Sequence, residues 1–192
     1  EGASNLGSWQ VRNRGTIGGN LGNGAPTADT ASPLLALDAT VLIFGPRGER
    51  RIPVESLWVR AGKISLEKDE FITKVEIPVK EGYSSAFIKI GPRNAMDIAI
   101  ASVAVSLKLC GEDIEDIRIA LGGAGPVPLR PLSAESYLKG KKATDENIIK
   151  AGELAASDSN PRSSSRASRE YRLSIIPVIT KRAILKAIER QN

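Results

Sequence analysis

The chain has 192 residues, of which 41% are hydrophobic and 26% charged, proportions typical of a globular protein, and its formal net charge is +5. It contains no histidine and one cysteine, Cys110, so it cannot by itself supply the ligands of a zinc, haem or iron–sulfur site, and a disulfide framework is excluded. Aromatic residues make up only 4% and the basic residues are spread along the chain, which argues against a nucleic-acid-binding surface.

The sequence gives two indications about location and extent. No apolar run approaches the length of a membrane span, and the N-terminus has no signal-peptide pattern, so we expect no membrane partner and a cytoplasmic location. The chain opens without an initiator methionine, directly before a glycine-rich segment. We therefore expect a fragment or one piece of a split protein.

The most informative segment covers residues 12–29, RNRGTIGGNLGNGAPTAD, which contains five glycines. Glycine can take positive φ and lets a ligand lie against backbone N–H groups. At the centre of the segment, two adjacent glycines are flanked by a hydroxyl and an amide: Thr16, Ile17, Gly18, Gly19 and Asn20. This set of donors suits a pyrophosphate, whose oxygens need several hydrogen bonds at close range.

Asp29 follows nine residues after Asn20 and is able to accept a hydrogen bond from a ribose or similar hydroxyl. The glycine pattern alone is not specific, because glycine pairs also build turns and bulges. It is not a P-loop, since no Gly-Lys-Ser/Thr follows, and it does not match the G-x-G-x-x-G of a dinucleotide-binding fold.

After this glycine loop, the first 80 residues are predicted to form one helix and a small antiparallel sheet. The helix has Pro33 in its first turn, where a missing N–H costs nothing. The strands are rich in β-branched residues or alternate in polarity. The helix is predicted over residues 30–37 and the strands over 39–44, 50–54 and 70–77.

A boundary between two lobes is predicted at residues 80–83, and a second antiparallel sheet with helices on one side follows, giving an α+β fold. Thr144 is a candidate N-cap, and Pro177 is expected to interrupt the last helix. The glycines at 122–125 are interpreted as a turn, and residues 160–168 as a polar loop. Strands are predicted over 85–90, 98–109 and 114–121, and helices over 133–138, 144–156 and 172–190.

Several segments, taken in chain order, resemble one known family over nearly the whole length. They are RNRGTIGGNLGNGAPTADTASPLLALDATV, DEFITKVEIP, SAFIKIGPRNAMDIAIASVAVSL, IRIALGGAGPVPLRP, AESYLKG and SREYR. The chain is similar to the FAD-binding (medium) subunit of the molybdenum hydroxylases, the xanthine dehydrogenase and aerobic carbon monoxide dehydrogenase type. The resemblance implies that residues 1–80 form the second lobe of a two-lobed FAD-binding domain (vanillyl-alcohol-oxidase/PCMH-like), and that residues 84–192 form the C-terminal α+β domain.

The resemblance also implies a cofactor site. In the family, the segment matching residues 16–20 wraps the pyrophosphate and ribitol of FAD, and the aspartate matching Asp29 belongs to the same site. The residues matching Ile72 and Lys89 lie near the flavin ring. Leu6 falls at a position where relatives also place a side chain close to the ring. Without the resemblance, Ile72 is interpreted as a strand-core residue and Lys89 as an exposed strand lysine.

Two departures from the family pattern affect these expectations. The first FAD lobe, with its own Ala-Gly-Gly phosphate loop, has no counterpart before Glu1, so a separate chain or a missing segment is expected to supply it. Relatives often carry an aspartate before the Tyr-Arg pair, where this chain has Ser163, Ser164 and Ser165 ahead of Arg166. The contacts of that loop are therefore expected to differ.

The function implied is that of an oxidoreductase subunit. Molybdopterin would lie on a large partner subunit and the [2Fe-2S] clusters on a small iron–sulfur subunit, and FAD on this subunit would pass electrons to an external acceptor. A cation such as Lys89 near the ring would raise the flavin potential by Coulombic stabilisation. No residue of this chain is predicted to be an acid–base catalyst. The alternative is a non-catalytic scaffold subunit of the same complex that no longer binds FAD.

Overall fold

A computed structural model of the protein describes residues 1–191 and shows an α+β architecture, as predicted. Short 3-10 turns lie at Ala3–Asn5 and Val54–Leu57. The helices are α1 (Trp9–Arg14), α2 (Ile17–Gly22), α3 (Ala31–Ala36), α4 (Leu132–Leu138), α5 (Asp145–Ser157) and α6 (Arg169–Glu189). The strands are β1 (Thr40–Gly45), β2 (Gly48–Pro53), β3 (Trp58–Arg60), β4 (Lys63–Ile64), β5 (Phe71–Glu76), β6 (Ser84–Ile90), β7 (Ala101–Cys110) and β8 (Asp113–Gly122).

The first sheet is antiparallel, with strand order β2-β1-β5. Its central strand β1 buries Val41 and Ile43 completely, because β-branched residues fit a pleated surface that is covered on one side. Phe44 and Phe71 form an edge-on pair on the exposed side, with ring centroids 6.0 Å apart. This sheet therefore has a covered face against which α2 packs and an open face.

The second sheet is antiparallel, with strand order β6-β7-β8, and it is covered on both sides. Helices α6 and α4 pack on one face, with α5 packed against both of them, and a continuous apolar core there includes Val105, Ile119 and Ile184. Helix α3 packs on the other face, and the buried hydroxyls of Ser32 and Ser102 lie 3.2 Å apart between them. The prediction of helices on one side only was therefore incomplete, since α3 arrives from the first 80 residues.

The structure corrects two of the predicted elements. The glycine segment is not a loop throughout, because residues 9–14 and 17–22 form α1 and α2, capped by the side chains of Ser8 and Thr16. Helix α6 is not interrupted, and Pro177 lies inside it. Gly152 of α5 packs directly against the Pro177 backbone, where a β-carbon would lie 2.8 Å from the carbonyl oxygen of Pro177. Close packing by α5 thus supports the helix at its weakest point.

The remaining elements agree with the sequence to within a few residues. Strand β7 begins three residues later than predicted, because the Asp97 carboxylate holds a turn by accepting from the N–H groups of Arg93 and Ile98. The small hairpin of β3 and β4 was not predicted, since its strands are only three and two residues long. Within residues 1–191, no helix combines the length and apolar content needed to cross a membrane.

Candidate functional site

A cavity of about 630 Å³ lies beside the glycine segment. We call it the glycine cleft. Its walls come from the 3-10 turn near the N-terminus, from α1 and from the beginning of α2. The residues that line it are Ala3, Ser4, Leu6, Val11, Arg12, Arg14, Gly15, Thr16, Ile17, Gly19, Asn20 and Thr30.

Thr16 fixes the beginning of α2 at the edge of the glycine cleft. Its Oγ1 accepts a hydrogen bond from the N–H of Gly19 at 2.9 Å, the usual N-cap arrangement. A β-carbon at Gly19 would lie 3.0 Å from that same Oγ1, so glycine permits the close cap. The hydroxyl proton of Thr16 can still be donated to a ligand, because a hydroxyl accepts and donates at once.

Two hydrogen bonds fix the orientation of the Asn20 side-chain amide. Its Oδ1 accepts from the backbone N–H of Thr30 at 3.2 Å and from the Thr30 hydroxyl at 2.6 Å. A backbone N–H can only donate, so the oxygen must face Thr30 and the NH₂ must lie on the other side. The Nδ2 group makes no hydrogen bond within the described part of the chain, and it is the donor that Asn20 offers to a ligand.

Two arginines make part of the wall of the glycine cleft basic. Arg12 and Arg14 lie in the last turn of α1, and Arg12 donates to the carbonyl of Leu6 at 2.9 Å and stacks 5.7 Å from the ring of Trp9. None of the lining residues is acidic. The cleft therefore presents positive charge together with neutral donors, a setting that favours an anionic ligand.

Two of the predicted site residues form an ion pair beside the glycine cleft. The Nζ of Lys89 lies 2.8 Å from Oδ2 of Asp29, and it also donates to the carbonyl of Asn5 at 3.1 Å. Both side chains are largely buried, so the interpretation of Lys89 as an exposed strand lysine was wrong. Lys89 lines a smaller neighbouring cavity of about 190 Å³.

Asp29 carries an unusual charge environment. Burial raises the pKa of its carboxyl above the ordinary value, although the Lys89 ammonium acts in the opposite direction. Its second oxygen, Oδ1, is buried without a hydrogen-bond partner among the described residues. An unpartnered buried carboxylate oxygen costs free energy, and at functional sites such an atom often meets a ligand donor.

The sequence-predicted residues thus fall into two groups. Thr16, Ile17, Gly19 and Asn20 line the glycine cleft, and so does Leu6. The other predicted residues do not line it, namely Gly18, Asp29, Ile72 and Lys89. Ile72 packs behind α2, where a β-carbon at Gly18 would lie 3.5 Å from Cγ2 of Ile72. Sequence reasoning missed Arg12, Arg14 and Val11 as wall residues, although two basic residues directly before a glycine segment are a usable signal for an anion site.

The fold agrees with what family comparison finds. Residues 86–187 match the family of the CO dehydrogenase flavoprotein C-terminal domain, and residues 1–80 match the FAD binding domain in molybdopterin dehydrogenase. The chain therefore belongs to the family of FAD-binding subunits of the molybdenum hydroxylases, as its sequence indicated.

Individual relatives agree with this membership. The chain is 38% identical over 188 residues to the xanthine dehydrogenase FAD-binding subunit of Escherichia coli O157:H7, a match that covers 97% of this chain and 64% of the relative. It is 36% identical to the glyceraldehyde dehydrogenase medium chain of Sulfolobus acidocaldarius, over 93% of this chain and 63% of that one. The chain thus spans somewhat less than two thirds of the length of these relatives.

A solved structure shows the same fold. Carbon monoxide dehydrogenase from Hydrogenophaga pseudoflava superposes with a TM-score of 0.93 at 31% sequence identity, covering 97% of this chain and 65% of that chain. Quinoline 2-oxidoreductase from Pseudomonas putida 86 superposes with a TM-score of 0.91, also at 31% identity, over the same shares of both chains.

Proposed function

We propose that this chain is the FAD-binding part of a molybdenum hydroxylase complex, in which electrons from the [2Fe-2S] clusters of a small subunit pass through FAD to an external acceptor. The molybdopterin would lie on a large subunit, where substrate is oxidised. We also propose that residues 1–80 and 84–192 correspond to the second FAD-binding lobe and the C-terminal domain.

The observation that carries this proposal is the composition of the glycine cleft. Its volume of about 630 Å³ lies within the range of ligand sites, and its wall combines the oriented amide of Asn20 with the hydroxyl of Thr16 and the guanidinium of Arg12. These are the groups that a pyrophosphate requires, because its oxygens accept several hydrogen bonds and carry negative charge. The residues present therefore fit FAD.

When bound, FAD supplies the conversion between one-electron and two-electron transfer, and the protein positions the cofactor and sets its electrostatic surroundings. We assign the donors of Thr16 and Asn20 to the pyrophosphate and the basic wall of Arg12 and Arg14 to its charge. The apolar side chains of Val11 and Ile17, both about half exposed in the cleft, would exclude water from the bound cofactor.

Lys89 and Asp29 do not line the glycine cleft, and they would act on the flavin through their charges. Their ion pair lies beside the cleft, and Asn5 and Leu6 connect the two cavities through consecutive residues. No side chain of the site is assigned an acid–base role, because electron transfer at the flavin does not require one from this chain.

The test is reconstitution with FAD. We expect the chain, purified with its large and small partner subunits and with any chain that carries the first FAD lobe, to release stoichiometric FAD when the complex is denatured, measured by flavin fluorescence. FAD should also raise the thermal unfolding temperature of the complex, because a ligand that binds only the native state stabilises it. A complex that assembles with full stoichiometry yet releases no FAD on denaturation after incubation with FAD would instead establish the scaffold function.

A further inference from the structure

A second cavity of the molecule is lined by several arginine side chains. It measures about 350 Å³ and lies between the loop of residues 160–168, the beginning of α6 and the glycine turn that follows β8. Three arginines line it, Arg162, Arg166 and Arg172, and we call it the arginine cleft. It shares no lining residue with the glycine cleft.

Arg172 is the buried member of this group, with only 6% of its surface exposed. Its Nη1 donates to the carbonyl of Ile100 and its Nη2 to the hydroxyl of Ser164, the latter at 2.9 Å. Its Nε is buried and has no partner among the described residues. Arg172 is therefore held by neutral acceptors alone, and its Nε–H is left without a partner among the described residues.

The backbone around Arg172 is shaped to let the guanidinium approach. Gly123 has a φ of +70°, and a β-carbon there would lie 2.7 Å from the carbonyl oxygen of Ile100 and 3.5 Å from Nη1 of Arg172. A side chain at this position would push apart the carbonyl and the guanidinium that it binds. The turn at residues 122–125, interpreted from sequence as the exit of a buried strand, thus also forms part of the arginine cleft.

The positive charge in the arginine cleft is not neutralised by the described residues. None of the lining residues is acidic, and none of the three arginines has a carboxylate within 4.0 Å in residues 1–191. The pKa of Arg172 is lowered, first because burial removes water from it and then because Arg162 and Arg166 repel its charge. A buried guanidinium without a counter-charge is costly, so such groups are normally paired.

We propose that the arginine cleft binds a phosphate-class oxyanion, either inorganic phosphate or the phosphate group of a small monoester. Guanidinium groups match tetrahedral oxyanions through paired N–H donors, and the three arginines converge on one cavity from a loop and a helix. Such an anion would supply the missing counter-charge, with Arg172 as the buried anchor and Arg162 and Arg166 as the exposed members that close over it.

The test measures phosphate binding to the 192-residue chain by titration calorimetry and by thermal unfolding at constant ionic strength, with chloride as the reference anion. Phosphate should bind and raise the unfolding temperature, because it binds only the native state. Glycerol 3-phosphate is measured in parallel. Binding of either compound that the arginine-cleft variants weaken supports the proposal, and the tighter one shows whether the phosphate is free or esterified. Binding of neither at millimolar concentration overturns it.

Ser164→Asp supplies a decisive variant, because it places a carboxylate where the Ser164 hydroxyl now accepts from Arg172. We expect this internal anion to raise the unfolding temperature without phosphate and to weaken phosphate binding by about tenfold or more, the worth of a charge-assisted hydrogen bond. Ser165→Asp is the matched control, because the same charge is added at the exposed neighbouring residue. Equal phosphate affinity in both variants would contradict the proposal.

A second pair of variants leaves the buried anchor untouched. Arg162→Ala combined with Arg166→Ala removes two exposed charges from the arginine cleft and should weaken phosphate binding by about tenfold without unfolding the protein. Lys68→Ala combined with Arg182→Ala removes two exposed charges elsewhere and should leave binding unchanged. If both pairs lower the affinity equally, the effect is one of net charge and the arginine cleft is not the site.

Discussion

The two sheets of this protein are built from similar antiparallel strands, yet they are covered differently. The β6-β7-β8 sheet is enclosed by α4 and α6 on one face and by α3 on the other. The β2-β1-β5 sheet leaves Phe44 and Phe71 about half exposed and carries the glycine cleft near its edge. The second sheet uses its apolar surface for stability, whereas the first part of the chain keeps surface available for contacts.

This difference makes the first part dependent on the second. Helices α1, α2 and α3 have six residues each, too short to be stable without tertiary packing. Helix α3 is buried against β7 and β8, and Asn20 of α2 is bonded to Thr30 at the beginning of α3. The orientation of the Asn20 amide at the glycine cleft therefore depends, through α3, on the core of the second sheet.

The largest effect is expected where the covered sheet meets α6. Ile184→Ala removes a fully buried side chain and should lower the free energy of unfolding by about 2–5 kcal/mol, because a cavity remains in the core. Val178→Ala, at a half-exposed position of the same helix, should change it by about 0.5 kcal/mol or less. Urea unfolding measures both. Similar losses in the two variants would mean that α6 is stabilised by its own helicity and not by this core.

The sequence predicted the covered sheet better than it predicted the helices that close it. Strands β6 and β8 were identified within one residue, because their alternating and β-branched patterns leave one interpretation. Pro177 was expected to interrupt α6, since an internal proline removes a helix hydrogen bond. The compensating contact with Gly152 lies 25 residues away in the chain, so no local pattern could show it.

The same limit applied to the candidate site. Thr16, Ile17, Gly19 and Asn20, which line the glycine cleft, were singled out because glycines, a hydroxyl and an amide stand together in sequence. The pairing of Asp29 with Lys89 joins residues that lie 60 positions apart, and the arginine cleft joins Arg172 to a carbonyl 72 positions away. Residues that only the tertiary structure brings together leave no periodic signal in a single sequence.

The next effect concerns binding without loss of fold. Asn20→Asp keeps an oxygen that can accept from Thr30 but replaces the free NH₂ donor by negative charge. We expect FAD affinity of the reconstituted complex to fall by about 10–100-fold, the range for a hydrogen bond to a charged group, while the unfolding temperature changes little. Asn23→Asp adds the same charge just past α2, outside the cleft, and serves as the control. An unchanged FAD affinity in Asn20→Asp would contradict the assignment of the amide to the pyrophosphate.

The smallest effect is expected at Lys89, which connects the second sheet to the glycine segment. Lys89 belongs to β6 of the covered sheet, yet its ammonium lies 2.8 Å from Asp29 of the glycine segment. Because a positive charge stabilises the additional negative charge of a reduced cofactor, Lys89→Ala should lower the flavin midpoint potential. We expect a shift on the order of 30 mV, equivalent to about 1.4 kcal/mol for a two-electron couple.

The loss of Lys89 also changes Asp29, which makes the shift depend on pH. Burial already raises the pKa of Asp29, and removal of the ammonium that opposes this increase should raise it further. Above that pKa the variant keeps an unpaired carboxylate, so its potential should lie below that of the parent protein. Below it the carboxylate is protonated, the local net charge equals that of the intact ion pair, and the difference should disappear.

Lys89→Met combined with Asp29→Asn removes both charges and should show a smaller shift, nearly independent of pH. Equal potentials of Lys89→Ala and the parent across the whole pH range would show that the ion pair does not act on the flavin and only joins β6 to the glycine segment.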